Sequence, residues 1–459
     1  MSTDSRLVPI ASTDATAVVE PRPSLAAEVQ FTEGLPRALV AVLERRYLSD
    51  FRPADWKIQP RAGDNARPLL REVTALGRPQ EPGIFARAMP HILTACHDPG
   101  HSLVVVLHGA GGRHRLYVGG RRIIGGGARS TEDYLSSQQS AFRSHLSGLQ
   151  FGSLSSLTQE ELPELASFLR DAPATRVVTG IPSRRGQDPA SSLQSLDRLV
   201  AAVGDQPYAL MVVAEPLEDA LIDEAIDVCR RLKSEVHAYV RRTIQRVQGG
   251  SKSESRTETE ETQRKNRLLD DLPVCLSSLA AFASLLALPL RANVSPFVSA
   301  LNTTITAATL FGRRDSTGKS TQLQEATNWS ESGGVDLLDA HAEACEQMLQ
   351  KYTDRLVTAR AGGCWRAVAY LVAQSDAAVH AVAGGLRSLG GGDASALDPL
   401  RILSLPDHWM RGGVQSAQIL EMKPSSGTQG HPLGRAFDAL ATCMDSEELS
   451  VLVTPPRIQ

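Results

Sequence analysis

The sequence predicts a mixed α/β (α+β) protein of two α/β sandwich units, one with a ferredoxin-like β-α-β pattern, separated by a long helix and a Ser/Thr-rich insert. Three observations predict it. Tyr208–Ala214 (YALMVVA) is an unbroken apolar run of strand length, as expected of a strand buried on both faces. Cys364–Ala373 (CWRAVAYLVA), a segment capped by Ser375-Asp376 and ending near Leu389, and Leu397–Leu405 follow one another as strand, helix and strand. Ser102–His108 and Arg115–Gly119 are β-rich runs around the glycine turn Gly109 to Gly112, which reads as a hairpin. Alternating strands and helices imply sandwiches with right-handed crossovers.

The elements fall into five stretches. Residues 1–34 are polar and aperiodic and read as a loose arm. Residues 35–160 hold a helix over Leu35–Leu48, the hairpin, and a helix from Ser130 to about Leu149. Ser130 precedes Glu132 and Asp133, so a side-chain cap and two acids suit the positive helix end. Residues 161–248 form the first α/β unit. It has a helix over Glu160–Leu169, a strand over Arg176–Pro182, a helix over Ser192–Val203, the Tyr208 strand, and one long helix from Leu217 to about Gln248. Residues 249–334 comprise a charged linker or hairpin tip (Gly249–Lys265), the apolar stretch Val274–Leu290, and the insert Ser295–Gly334. Residues 335–459 form the second unit. It opens with a helix over Val335–Arg360 that Gly362-Gly363 stops, and its tail shows a short helix near Ser446–Val451.

Composition narrows the function classes. The chain has 459 residues, enough for two or three domains, with 42% apolar and 22% charged residues. Its formal net charge of −3 gives no global basic character, so DNA contact is expected only locally or through a partner. None of the six cysteines stands at CxxC spacing, which argues for free thiols in a reducing compartment rather than disulfides or a zinc site. Met1–Ala17 lacks the basic and apolar regions of a signal peptide, so a cytoplasmic location is expected. Val274–Leu290 is uncharged, but it is shorter than the ~20 residues of a spanning helix and holds three serines and Pro289. It reads as a buried or partner-facing helix, so membrane association is not expected.

No complete catalytic motif stands out. Gly312-Arg-Arg-Asp-Ser-Thr-Gly318-Lys319-Ser320 approaches a phosphate loop, in which backbone N–H groups wrap a phosphate, a lysine reaches it and a serine holds magnesium. Its glycines are separated by five residues instead of four, and no Asp-terminated apolar strand follows for the metal. Gly312, Gly318, Lys319 and Ser320 are therefore an irregular nucleotide-site candidate beside the simpler reading of a solvated loop. Gly125–Gly127 reads as a turn. His91, His97 and His101 surround Asp98 but lack a complementary ligand set. Ser183 sits at a strand end without the G-x-S-x-G elbow and reads as a turn residue. Arg184, Arg185 and Arg198 form a candidate patch for phosphate or an acidic partner, and Arg241, Arg242 and Arg246 a basic face on the long helix.

The order of several short motifs resembles the N-terminal, non-motor half of HerA-, FtsK- and conjugative TraC-like DNA-translocating ATPases. The chain shows Thr179–Ser183 (TGIPS) at a strand end, Leu196–Leu199 (LDRL) in a helix, and Ala214–Pro216 (AEP) before a long helix. A Ser/Thr-rich insert, a helix over Asp336–Arg360, a Trp365–Tyr370 strand, Leu386–Leu389 (LRSL) and Ser446–Arg457 (SEELSVLVTPPR) follow. The resemblance covers most of residues 100–457. It implies a half that mediates assembly and docking, with the Walker A strand of the motor expected where this chain reaches Gln459. The expectation is a homo-oligomeric, non-catalytic docking subunit that contacts DNA only indirectly. It would hold no cofactor itself, and ATP and magnesium would belong to a separately encoded motor serving DNA transfer, mobile elements or phage defence. The alternatives are an ATP-binding protein using residues 312–320, or a component of a secretion or injection machine anchored by Val274–Leu290.

Overall fold

The computed structural model describes residues 36–49, 56–61, 66–76, 83–183, 196–248, 331–424 and 431–456, apart from 38, 124, 126–128, 432 and 438. In chain order, β1 (Trp56–Gln59) and β2 (Leu69–Ala75) precede α1 (Ile84–Ala95). β3 (His101–Ala110) and β4 (Arg113–Arg122) form the expected hairpin, with Gly111 and Gly112 supplying the positive φ that the turn needs. α2 (Thr131–His145) starts where its sequence predicts, because the Ser130 side chain accepts the Asp133 N–H. β5 (Gln150–Ser156), α3 (Pro163–Asp171) and β6 (Ala174–Thr179) follow. Next come α4 (Asp197–Val203), β7 (Tyr208–Pro216) and α5 (Asp219–Val240).

The long helix expected to reach Gln248 stops at Val240. From there β8 (Arg241–Gln248) pairs with β9 (Glu331–Leu338). Thr243, Ile244 and Val247 are β-branched, and that stiffness favours strand over helix. The helix expected from Val335 begins at Ala340 instead, as α6 (Ala340–Gly362), because the Asp339 carboxylate accepts the N–H groups of His341 and Ala342. β10 (Cys364–Ala373) and α7 (Asp376–Gly390) match expectation, and Ser375 caps α7 by accepting the Ala378 N–H. The returning strand is short, β11 (Arg401–Leu403), and a 3-10 turn at Asp393–Ala396 precedes it. The tail is richer in elements than its sequence suggests: α8 (Asp407–Ser416), β12 (Glu421–Pro424), β13 (Thr442–Asp445) and α9 (Ser446–Val453).

The mixed α/β class stands, and among the described residues nine strands share one sheet, while β1 pairs with β12 and β8 with β9 apart from it. The order is β11-β6-β10-β7-β3-β4-β2-β5, with every neighbouring pair antiparallel. β13 pairs with the first half of β10 on the edge that β6 uses for the second half. β6-α4-β7 is a β-α-β unit with β10 inserted between its strands, and β10-α7-β11 is one with β6 inserted. The two units expected to be separate sandwiches therefore interlock as one ferredoxin-like plait. The α5–α6 excursion lies between its second and third strands, and β3, β4, β2 and β5 widen the sheet beyond β7.

Strand periodicity then divides the core. Val104, Val106, Met211, Val213, Val368 and Tyr370 face α5, α6 and α8. Leu103, Val105, Leu210, Val212, Trp365 and Leu371 face α1, α2, α4, α7 and α9. Alternate residues of one strand thus feed opposite layers, which is why Tyr208–Ala214 is an unbroken apolar run and Cys364–Ala373 is apolar but for Arg366. Among the described residues no helix is long and apolar enough to cross a membrane. Val274–Leu290 lies outside them.

Candidate functional site

The feature that departs most from the sheet is the arm made by α5 and α6. The 22 residues of α5 extend roughly 33 Å. Its inner stripe (Cys229, Leu232, Val236) packs on Cys345, Leu349, Tyr352 and Leu356 of α6. Polar links fix the register along the outer side. Arg360 pairs with Asp223, Lys233 Nζ donates to Gln350 Oε1 at 2.7 Å, and His237 Nδ1 lies 3.2 Å from Glu346 Oε2. Between these links runs an open groove lined by Arg230, Lys233 and His237 of α5 and by Glu346, Asp354 and Val357 of α6. Among the described residues Val357 is the exposed large apolar side chain, at 37%. The groove mixes both charges with one apolar contact, a composition suited to docking rather than to chemistry.

The arm is rooted in the body by buried polar contacts. Tyr352 donates its hydroxyl to the Leu43 carbonyl at 2.8 Å. Arg355 holds Glu448 of α9 through Nε at 2.7 Å and Nη2 at 2.6 Å, and it also donates to the Cys443 carbonyl. Burial pushes the Glu448 carboxyl above the usual carboxylate range against the pull of Arg355. Glu448 also completes a capping box with Asp445 at the start of α9. The base of the arm and the last helix are thus tied by one ion pair.

A second buried centre lies where the Ala214–Pro216 run ends. Glu215 accepts from Arg366 at 2.6 Å and Arg61 at 3.2 Å, and Arg121 Nη2 stands 3.6 Å away. Arg61 also approaches Glu421 of β12 at 3.8 Å, so the cluster links the small β1–β12 sheet to the large one. A third joins Arg45 to Asp398 at 3.2 Å, with Arg401 on the same carboxylate. In these buried braces arginines outnumber carboxylates, and most of the partners come from distant parts of the chain, which is why no local sequence signal reveals them.

The Asp98 loop does not make a metal centre. His97 makes a 2.9 Å hydrogen bond to the Cys364 carbonyl and stands edge-on to Trp365, His91 stacks on His145, and His101 stacks on Tyr134. The three histidines therefore point to three different neighbours. Partial burial works against ionising Asp98, but hydrogen bonds from the Gly100 N–H, His101 and Arg129 hold its carboxyl below the usual range. Among the described residues no group of His, Cys, Asp and Glu could hold a metal ion. The described cysteines are free and buried, and burial pushes the thiols of Cys96, Cys229 and Cys345 up to about 12, which disfavours nucleophilic use.

Ser183 has the turn role its sequence suggests. Its N–H donates to the Gly390 carbonyl, its carbonyl accepts from Gly392, and its hydroxyl accepts the Ala394 N–H. Arg198 lies on α4, with its side chain outside the described residues. Arg184 and Arg185 lie outside them too, as do Gly312, Gly318, Lys319 and Ser320. Arg241, Arg242 and Arg246 stand on a strand, not on a helix face. Compared with known proteins, the chain matches no protein-family model and no curated protein.

Proposed function

We propose that this chain is a non-catalytic assembly or docking subunit that works in the cytoplasm beside a separately encoded HerA/FtsK-like DNA-translocating ATPase. The observation that carries the docking role is the α5–α6 arm. It leaves the sheet between two central strands, is rooted by Tyr352 and Arg355, and presents an open groove and a two-stranded ribbon. The motor partner rests on the resemblance of the TGIPS, LDRL, AEP and SEEL segments, and DNA is reached through that motor.

Size-exclusion chromatography with light scattering tests the reading, on the purified chain with and without ATP–magnesium and a neighbouring ATPase. A nucleotide-independent oligomer or a stable complex with the ATPase is expected. A monomer that assembles only when ATP is added contradicts it and moves residues 312–320 to the centre.

A further inference from the structure

Three polar rungs cross the grooved face of the arm. Asp223 pairs with Arg360 at the root, and His237 lies 3.2 Å from Glu346 toward the tip. The antiparallel register set by these two pairs places Arg230 level with Thr353 between them, and both line the groove. Seven residues are nearly two helical turns, so Asp223, Arg230 and His237 share one face of α5, and Glu346, Thr353 and Arg360 share one face of α6.

Each helix changes sign along this face, in opposite senses. α5 runs from Asp223 at the root to Arg230, Lys233 and His237 toward the tip, whereas α6 runs from Glu346 and Asp354 back to Arg360 at the root. Three fixed cations, Arg230, Lys233 and Arg360, thus stand with three carboxylates, Asp223, Glu346 and Asp354. A uniformly charged partner, a nucleic acid included, would meet like charge on half of such a face.

A second copy carries the same sign change. Turned about a two-fold axis across the arm, it lays α5 on α5 and brings Arg230 and His237 toward Asp223 of the other copy. Turned about an axis along the arm, it lays α5 on α6 and brings Asp223 toward Arg360. Both isologous arrangements set acid against base. Arg230 and His237 are 62% and 72% exposed, so their polar ends reach beyond the groove. The pair of Arg230 with Asp227, 3.7 Å away, is itself exposed, and exchanging it for a carboxylate of another copy costs little. Val357 supplies an apolar contact between the middle and root rungs. A face roughly 33 Å long and about 20 Å wide offers about 650 Å² on each copy, within the ~600–1,000 Å² per partner that specific dimers bury.

We infer that the grooved face of α5 and α6 is self-complementary and pairs with the same face of a second copy of this chain about a two-fold axis. The inference rests on the docking reading and names the face through which copies join.

Arg230→Glu/Val357→Asp in the full chain tests it, read by light scattering over a concentration series, with circular dichroism and thermal melting to confirm that arm and body stay folded. The unmodified chain is expected to dimerise, and the variant to dimerise about tenfold more weakly or worse. A nitroxide on Ser234→Cys in a Cys275→Ser background gives a second readout that needs no disruptive change, because Ser234 lines the groove and the other cysteines are buried. Helices packed ~10 Å apart put the two labels within about 25 Å, so dipolar coupling between copies is expected. Its absence overturns the inference even if the double variant fails to fold. A folded variant that assembles as the unmodified chain does overturns it too, and the docking reading stands. Unchanged mass with loss of the ATPase complex gives the groove to the ATPase and overturns the pairing of copies. A monomeric unmodified chain overturns the inference alone if it still binds the ATPase, and both readings if it does not.

Discussion

Arg366 and Glu215 stand directly opposite each other on the adjacent central strands β10 and β7, with 2.6 Å between Nη2 and Oε2 and the carboxylate side chain only 4% exposed. The pair ties the ferredoxin-like plait together where the chain leaves the sheet to build the arm. Removing the carboxylate strands several buried guanidinium groups, whereas removing the half-open Arg61 strands little.

Glu215→Gln is therefore expected to destabilise the protein by about 3–5 kcal/mol, the usual cost of an uncompensated buried charge. Arg61→Ala is expected to cost at most about 1 kcal/mol, because its side chain is 24% exposed. Urea unfolding of both variants checks the order. Equal losses would mean that Arg61 is as essential to the centre as Glu215.

Arg355→Leu leaves Glu448 buried without its cation and is expected to cost about 3–5 kcal/mol at neutral pH. Burial raises the carboxyl pKa in the folded protein above its unfolded value. The neutral acid is then the form the fold prefers, its contribution is full below the unfolded pKa, and it is lost as pH rises through the folded one. The variant should consequently recover stability on mild acidification, and Arg355→Leu/Glu448→Gln should recover much of it at neutral pH. Chemical denaturation from pH 7 down to 5 decides this.

His431 behaves oppositely. Burial, and then the charge of Arg45, depress its folded pKa to about 3, while its Nδ1 accepts the Leu433 N–H. The unfolded chain takes up a proton near pH 6.5, so stability present above that value is lost as pH falls toward 3, by roughly 1.4 kcal/mol per unit. His431→Asn, which keeps an acceptor, is expected to flatten this acid limb in thermal melts between pH 4 and 7. An unchanged slope would mean that other groups set it.

Gly180, the glycine of the TGIPS run, has φ +118°, and a Cβ there would lie 2.4 Å from the Pro399 carbonyl oxygen. Gly180→Ala is expected to cost more than 1 kcal/mol, from backbone strain and from displacement of the β11 strand. A melting temperature equal to that of the unmodified chain would contradict the close approach.

The strands Tyr208–Pro216 and Cys364–Ala373 were legible in the sequence because burial on both faces makes them apolar but for Glu215 and Arg366. The start of α2 was legible because its cap is local. Their arrangement was not: β10 lies between β6 and β7 although nearly two hundred residues separate β6 from β10, and nothing in periodicity encodes such pairing. The end of α5 was obscured for another reason. Arg242 and Arg246 continue a helical i,i+4 spacing, which masks the β-branched residues that favour a strand. Asp339 was a readable cap for α6, and the apolar Val335, Leu337 and Leu338 before it drew the expected start too early. The buried ion pairs of Glu215 with Arg366 and of Glu448 with Arg355 join residues 151 and 93 positions apart and leave no local pattern.

Hydrogen exchange measured by mass spectrometry, on the full chain alone, with ATP–magnesium, and with the neighbouring ATPase, bears most directly on the arm as the docking element. Added protection concentrated on residues 230–248 and 331–357 when the ATPase is present, and unchanged exchange with nucleotide alone, is the predicted result. Protection appearing around residues 312–320 on addition of ATP, with the arm unaffected by the ATPase, would contradict the account.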